Sequence, residues 1–174
     1  MDDIRITSGE YRGRRILSPK SSLTHPMGSR EKLALFNMIS KKIPGAEALD
    51  AYAGSGALGF EALSRGAKSA TFIEKNPEIA RVIVKNAQSL NISEVEEVNV
   101  MDVRKFRTNK TFDVIIADPP YDDFKIEDVE HLTSFLKDDG ILVLSHPANI
   151  SGLEKLKLIK TKKYARACIS IYQK

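Results

Sequence analysis

The chain contains no tryptophan, and its only cysteine is Cys168. One thiol cannot close an internal disulfide, so packing must hold the fold and nothing asks for an oxidising compartment. Cys168 sits among apolar residues and reads as a buried, inert thiol rather than a nucleophile. The three histidines, His25, His131 and His146, show no ligand spacing, and no metal is expected. No apolar run approaches the length of a bilayer crossing, and the first residues lack the apolar segment of an export signal, so a cytoplasmic protein is the expectation. Repeats and low-complexity linkers are also missing, and no apolar stripe is left over to ask for a second copy, which makes a monomer the default.

What is present is ordinary in amount and uneven in placement. At 174 residues, 42% hydrophobic and 29% charged, the chain can bury one substantial core. The net charge of +4 conceals an asymmetry: residues 1–45 carry a balance of +5, residues 46–151 one of −7, and residues 152–174 one of +6. Basic ends around an acidic middle fit a polyanion gripped by the termini, although scattered surface charge would give the same totals.

Ile4–Thr7 and Arg14–Leu17 read as two short strands around the turn "SGEYRG". A polar loop follows to Gly28. Ser29 is placed to cap a helix running to about Lys42, with Leu33, Phe36, Ile39 and Ile43 on its apolar face and Pro44-Gly45 ending it. The pattern then alternates. "AEALDA", "SATFIE", "VEEVNV", "FDVIIA" and "ILVLSH" read as strands. Leu58–Arg65, a segment opening at Asn76-Pro77 and running to Leu90, and Ile126–Leu136 read as helices, and Asp139-Gly140 as a turn. Leu156–Thr161 and Ala167–Tyr172 read as a hairpin adding an antiparallel strand at one side. Alternating βα units imply an α/β fold, Rossmann-like, with a mostly parallel sheet covered on both faces.

Gly54, Gly56 and Gly59 form a G-x-G-x-x-G between the first strand of this series and its helix, with Glu74 ending the next strand. That is the dinucleotide fingerprint in its proper context, so a nicotinamide or flavin nucleotide is one reading. Asp50 favours another. It lies just before the turn, where a pyrophosphate would rest, and a carboxylate there repels phosphate. S-adenosyl-L-methionine has no phosphate and carries an ammonium and a sulfonium, which the same carboxylate attracts. Glu74 can accept from ribose hydroxyls, and Asp102, after the third strand, is placed to meet the adenine amine, unless it merely caps a helix. The residues expected around the donor are Asp50, Ala51, Gly54, Ser55, Gly56, Glu74, Lys75, Asp102 and Val103.

Asp118-Pro119-Pro120-Tyr121 ends the fourth strand of the series, beside the strand that carries the glycine turn. Ligands of open α/β sheets sit beyond such ends. The motif suits transfer to the exocyclic amine of a nucleobase, whose lone pair is delocalised into the ring. A carboxylate and a proline carbonyl accepting its two hydrogens would favour a pyramidal nitrogen, and the aromatic ring would stack on the base. A proline-rich turn with a structural tyrosine is the plain alternative.

With both motifs in place the chain resembles class I S-adenosylmethionine-dependent methyltransferases, and more closely the bacterial RsmD family, which methylates N2 of a guanine in 16S ribosomal RNA. "RITSGEYRGRRILSP", "REKLALFNMI", "LDAYAGSGALGFEALSRGA", "DPPY" and "KKYARACISIY" carry the likeness across nearly the whole chain. It implies an RNA-contacting extension over residues 1–28 and a methyltransferase domain over 29–174. Asp118, Pro119, Pro120 and Tyr121 would be catalytic. Arg12, Arg14, Arg15 and Arg30, with the lysines of the C-terminal hairpin, would contact phosphates of 16S rRNA or the assembled small subunit. Asn37, on the first helix, could reach donor or base. The chain departs from the family at "HPMGSREKL", where His25, Ser29 and Leu33 replace the usual Arg, Asp and Glu, and at Ala165, which replaces a Gly. A DNA or RNA adenine-N6 methyltransferase, a nicotinamide-dependent oxidoreductase and a non-catalytic RNA-binding protein are the other readings that these residues leave open.

Overall fold

The computed structural model describes residues 2–19, 27–147, 153–164 and 167–174; the departures at His25 and Ala165 lie outside them. The first two strands, β1 (Asp2–Arg5) and β2 (Arg15–Ser18), pair antiparallel as a sheet of their own. Helix α1 spans Ser29–Met38. Its N-cap is Gly28, not Ser29: the Gly28 N–H donates to Glu31 Oε2 at 2.8 Å, so the chain is closed by an acid three residues on. The helix stops four residues earlier than expected, and Ser40–Lys42 continues as a 3₁₀ turn. Its buried face is also rotated. Lys32 is 1% exposed while Leu33 is 40% exposed. The reason is electrostatic, because Lys32 Nζ finds Glu61 at 3.6 Å and the Arg5 carbonyl at 2.9 Å inside the fold.

The alternating region forms β3 (Glu47–Asp50), α2 (Ala57–Ser64), β4 (Ser69–Glu74), α3 (Pro77–Leu90), β5 (Val95–Val100), β6 (Phe112–Ala117), a single turn α4 (Glu127–Glu130) and β7 (Leu136–His146). The segment expected as one helix over 126–136 is therefore divided between α4 and a 3₁₀ turn, His131–Phe135, and Leu136 already belongs to β7. Asp139 and Gly140 lie within β7, with Asp139 at φ +61, where the pairing with β6 shifts register. The turn residues thus make an irregularity inside a strand. β8 (Lys157–Lys163) and β9 (Cys168–Gln173) complete the sheet.

The order is β5-β4-β3-β6-β7-β9-β8. The five strands from β5 to β7 are parallel, and β9 and β8 both add antiparallel, so the hairpin contributes two strands rather than one. Side chains alternate between two cores, as the period of a strand requires. Ala48, Phe72, Val114, Ile116 and Val143 join one core with Phe36, Phe60 and Ile83; Leu49, Ile73, Ile115, Leu142 and Leu144 join the other with Phe106, Val129 and Leu132. The order reverses at β3, which has β4 on one side and β6 on the other. The crevice over the ends of β3 and β6 is thus the topological switch point.

Candidate active site

Asp50 ends β3 inside this crevice and is 1% exposed. Its Oδ2 accepts from the Gly59 N–H at 2.9 Å, while Oδ1 is buried with no hydrogen-bond partner among the described residues. Burial pushes its pKa up to about 7; the Gly59 N–H opposes this, and the negative charges of Asp118 and Glu74 add to it. The glycine turn wraps round this carboxylate. Gly56 is the N-cap of α2 at φ +82, in the left-handed region that suits glycine, and a Cβ on Gly59 would meet the Phe72 ring at 2.2 Å. The turn is stitched to both neighbours of β3, through Ala51 N–H to the Ile116 carbonyl and Ala53 N–H to that of Ile73, each at 2.9 Å.

Glu74, half-buried at the end of β4, accepts from the Gly54 N–H at 2.9 Å and the Asn76 N–H at 2.8 Å. Each oxygen keeps a second lone pair. Lys75 beside it is exposed. Asp102 follows β5, caps the 3₁₀ turn Val103–Lys105, and receives Arg104 Nε on Oδ1 at 2.9 Å and Nη2 on Oδ2 at 2.6 Å. These bonds hold its pKa at about 2, so it is ionised at any ordinary pH. Val103 is buried, and its carbonyl bonds to His131 Nε2 at 2.9 Å.

Asp118 leaves β6 directly beside this cluster. Its carboxyl is enclosed although part of the residue reaches the surface, and burial raises its pKa to about 6, against the pull of the Ser145 hydroxyl and with a further push from Glu31. Pro119 is buried, Pro120 exposed and Tyr121 half-buried. The Tyr121 hydroxyl bonds to Ser145 Oγ. Burial raises the Tyr121 pKa too, and that phenol stays protonated. Ser145 is two per cent exposed and follows Leu144, which pairs with Ala117, so register alone sets it beside Asp118. Neither Ser145 nor Glu31 was singled out from the sequence. Glu31 carries a readable signal, three residues beyond a glycine cap; Ser145 carries none, because only strand pairing gives it its neighbours.

The four arginines separate. Arg12 and Arg30 are exposed. Arg14 and Arg15 are exposed too, but Arg14 donates to the carbonyls of Leu90 at 2.9 Å and Ser89 at 3.0 Å, closing the C-terminus of α3, and Arg15 pairs with Asp3 at 3.3 Å. All seven residues of β8, four of them lysines, are exposed along the sheet edge. Asn37 is exposed and accepts from Arg65 Nη1 at 3.4 Å. Among the described residues no group of three or more His, Cys, Asp or Glu side chains could hold a metal ion.

S-adenosyl-L-methionine fits these residues on one observation above all. A buried carboxylate oxygen, Asp50 Oδ1, has no partner among the described residues, and two further carboxylates add to the negative field around it. A cation relieves that arrangement; a pyrophosphate would worsen it.

A family model described as Conserved hypothetical protein 95 matches residues 4–173. Ribosomal RNA small subunit methyltransferase D of Haemophilus influenzae is 42% identical over 124 residues, 68% of this chain and 64% of that protein, so the match spans less than two thirds of the relative. The protein of the same name from Escherichia coli strain K12 is 36% identical over 141 residues, 80% of this chain and 69% of that one. Among solved structures, Escherichia coli yhhF, described as a candidate methyltransferase, superposes with a TM-score of 0.89 at 28% identity, covering 99% of this chain and 98% of the other. The matched stretch takes in the hairpin, the glycine turn and Asp118–Tyr121 together, and the chain belongs to the Conserved hypothetical protein 95 family, that of ribosomal RNA small subunit methyltransferase D.

Proposed function

We propose that the chain transfers a methyl group from S-adenosyl-L-methionine to the exocyclic N2 of a guanine in 16S ribosomal RNA. The observation that carries this reading is the pair Asp50 and Asp118 at adjoining strand ends, one an incompletely partnered carboxylate by the glycine turn, the other at the mouth of the crevice. When bound, the donor supplies an electrophilic methyl on a positively charged sulfur. Asp50, Glu74 and Asp102 would hold its cationic and adenosyl parts, with Ala51, Gly54, Ser55, Gly56, Lys75 and Val103 around them. Asp118 would accept one hydrogen of the amine and the Pro119 or Pro120 carbonyl the other, fixing the nitrogen lone pair in one direction. Tyr121, anchored by Ser145, would give the base a flat wall. With its pKa at about 6, Asp118 is mostly ionised at neutral pH, accepts hydrogen bonds, and is basic enough to take the amine's proton once the new bond has made it acidic. Residues 1–28 would guide the RNA, with Arg12, Arg30 and the β8 lysines meeting phosphates.

The relatives' shared name supports the choice of ribosomal RNA. The test is methyl-labelled donor incubated with unmodified small subunits, naked 16S rRNA and duplex DNA, followed by nucleoside analysis. Label in N2-methylguanosine is expected. Label in N6-methyladenine, or none in any acceptor, would overturn the reading.

A further inference from the structure

The hairpin of β1 and β2 lies more than thirty residues before any expected donor contact, yet one side chain joins it to the glycine turn. Asn86, in α3, is 0% exposed. Its Oδ1 accepts from the Leu17 N–H at 2.8 Å, and its Nδ2 donates to the Leu17 carbonyl at 3.0 Å and to the Ser55 carbonyl at 3.0 Å. Leu17 is the β2 residue opposite Asp3. Asn86 therefore treats the outer edge of β2 as a neighbouring strand would, with one donor and one acceptor, and spends its second N–H on the turn.

That second bond acts where the backbone is loosest. Ser55 sits between Gly54 at φ +52 and Gly56 at φ +82, two residues without the Cβ that restricts rotation. The Ser55 carbonyl has its orientation set from outside by a buried donor. The hairpin itself is firmly seated on the helices flanking the turn. Glu10 N–H donates to the Ser64 carbonyl at 2.7 Å and Tyr11 N–H to Ser64 Oγ at 2.9 Å on α2, while Arg14 reaches Ser89 and Leu90 on α3.

We infer that Asn86 is a positioning residue of the donor site, locking the glycine turn to the N-terminal hairpin so that seating of the hairpin and affinity for the donor rise and fall together. This rests on the reading that the turn binds S-adenosyl-L-methionine, and it does not depend on which nucleic acid is methylated.

The test is calorimetric binding of S-adenosyl-L-methionine to the full chain, native and with Asn86→Asp or Asn86→Leu. Asn86→Asp keeps the acceptor for Leu17 and loses both donors; Asn86→Leu keeps the volume alone. Donor Kd should rise about tenfold in either, the effect of losing a buried hydrogen bond. Donor KM should rise alongside, with kcat at saturating donor unchanged. A lowered melting temperature with donor Kd within twofold of native would mean that Asn86 is only structural, and would overturn the inference while leaving the donor reading intact. Native protein that binds no S-adenosyl-L-methionine at all would instead sink the donor reading and the inference with it. Should neither variant fold, hydrogen exchange on native protein decides: donor should slow exchange at the Leu17 amide as well as at Gly54 and Gly56, and an unchanged Leu17 overturns the proposal.

Discussion

Donor binding should release a proton, and Asp50 should be its source. The carboxyl is buried beside the glycine turn, its pKa is raised from 3.8 to about 7, and one of its oxygens has no partner among the described residues. Free protein at pH 6 therefore holds it about nine-tenths protonated. A bound cation favours the ionised form, so binding and ionisation are linked. If the bound state requires the carboxylate, affinity should weaken about tenfold between pH 8 and pH 6, with about half a proton released per donor at pH 7. Calorimetry in two buffers of different ionisation enthalpy measures that proton directly. Asp50→Asn should abolish it, and 5′-methylthioadenosine, which has neither ammonium nor sulfonium, should release none. Asp118, at about 6, and Glu74 face the same site, so Asp118→Asn is the necessary control and should retain the effect at pH 7. The stability of the donor-free protein moves the opposite way with pH. A folded pKa above the unfolded one contributes stability that is complete below 3.8 and lost as pH rises through about 7, on the order of 4 kcal/mol. Donor should consequently raise the melting temperature more at pH 8 than at pH 6. Zero proton release at pH 7, or release that survives Asp50→Asn and disappears with Asp118→Asn, refutes the reasoning.

Asp118→Ala should lower turnover about 10²–10⁴-fold while donor Kd, measured calorimetrically, stays within threefold. Glu74→Ala should weaken donor binding about tenfold or more, because the same carboxylate also fixes the Gly54 and Asn76 amides; the reverse pattern in these two variants would exchange their roles. Glu61→Gln should cost about 3 kcal/mol in urea denaturation, since Glu61 is 0% exposed and holds Lys32, Arg65 and Thr7 together between α1, α2 and the hairpin; a loss under 1 kcal/mol would mean the cluster relaxes. Reversing Arg12 and two β8 lysines to Glu should weaken RNA binding and flatten its salt dependence with donor binding unchanged, whereas an unaltered salt slope would place the phosphates elsewhere.

The inner strands were legible because they are buried on both faces and punctuated by turn residues, so "SATFIE" and "FDVIIA" could be little else. The glycine turn and Asp118–Tyr121 were legible for a related reason: each is local, a few residues whose backbone freedom or stiffness is written in their type. The errors fell where long-range contacts outvoted local preference. Lys32 replaced Leu33 on the buried face of α1 because Glu61, in α2, was waiting there. The expected helix over 126–136 gave way to a 3₁₀ turn and an early strand because Leu136 pairs with Phe112. Arg14, grouped with the phosphate contacts through the family resemblance, also closes the end of α3, a role that no local pattern announces.

By itself the sequence determined the layered α/β architecture, the turn that suits an adenosyl cation and the acid that suits an amine, since periodicity, glycine placement and side-chain charge act over a few residues. Tertiary structure decided that Asp50 and Asp118 stand at neighbouring strand ends, that Ser145 anchors Tyr121 and that Asn86 binds hairpin to turn. Those facts depend on which strands lie side by side, and a linear chain carries no mark of the neighbour it will acquire when another strand is laid against it.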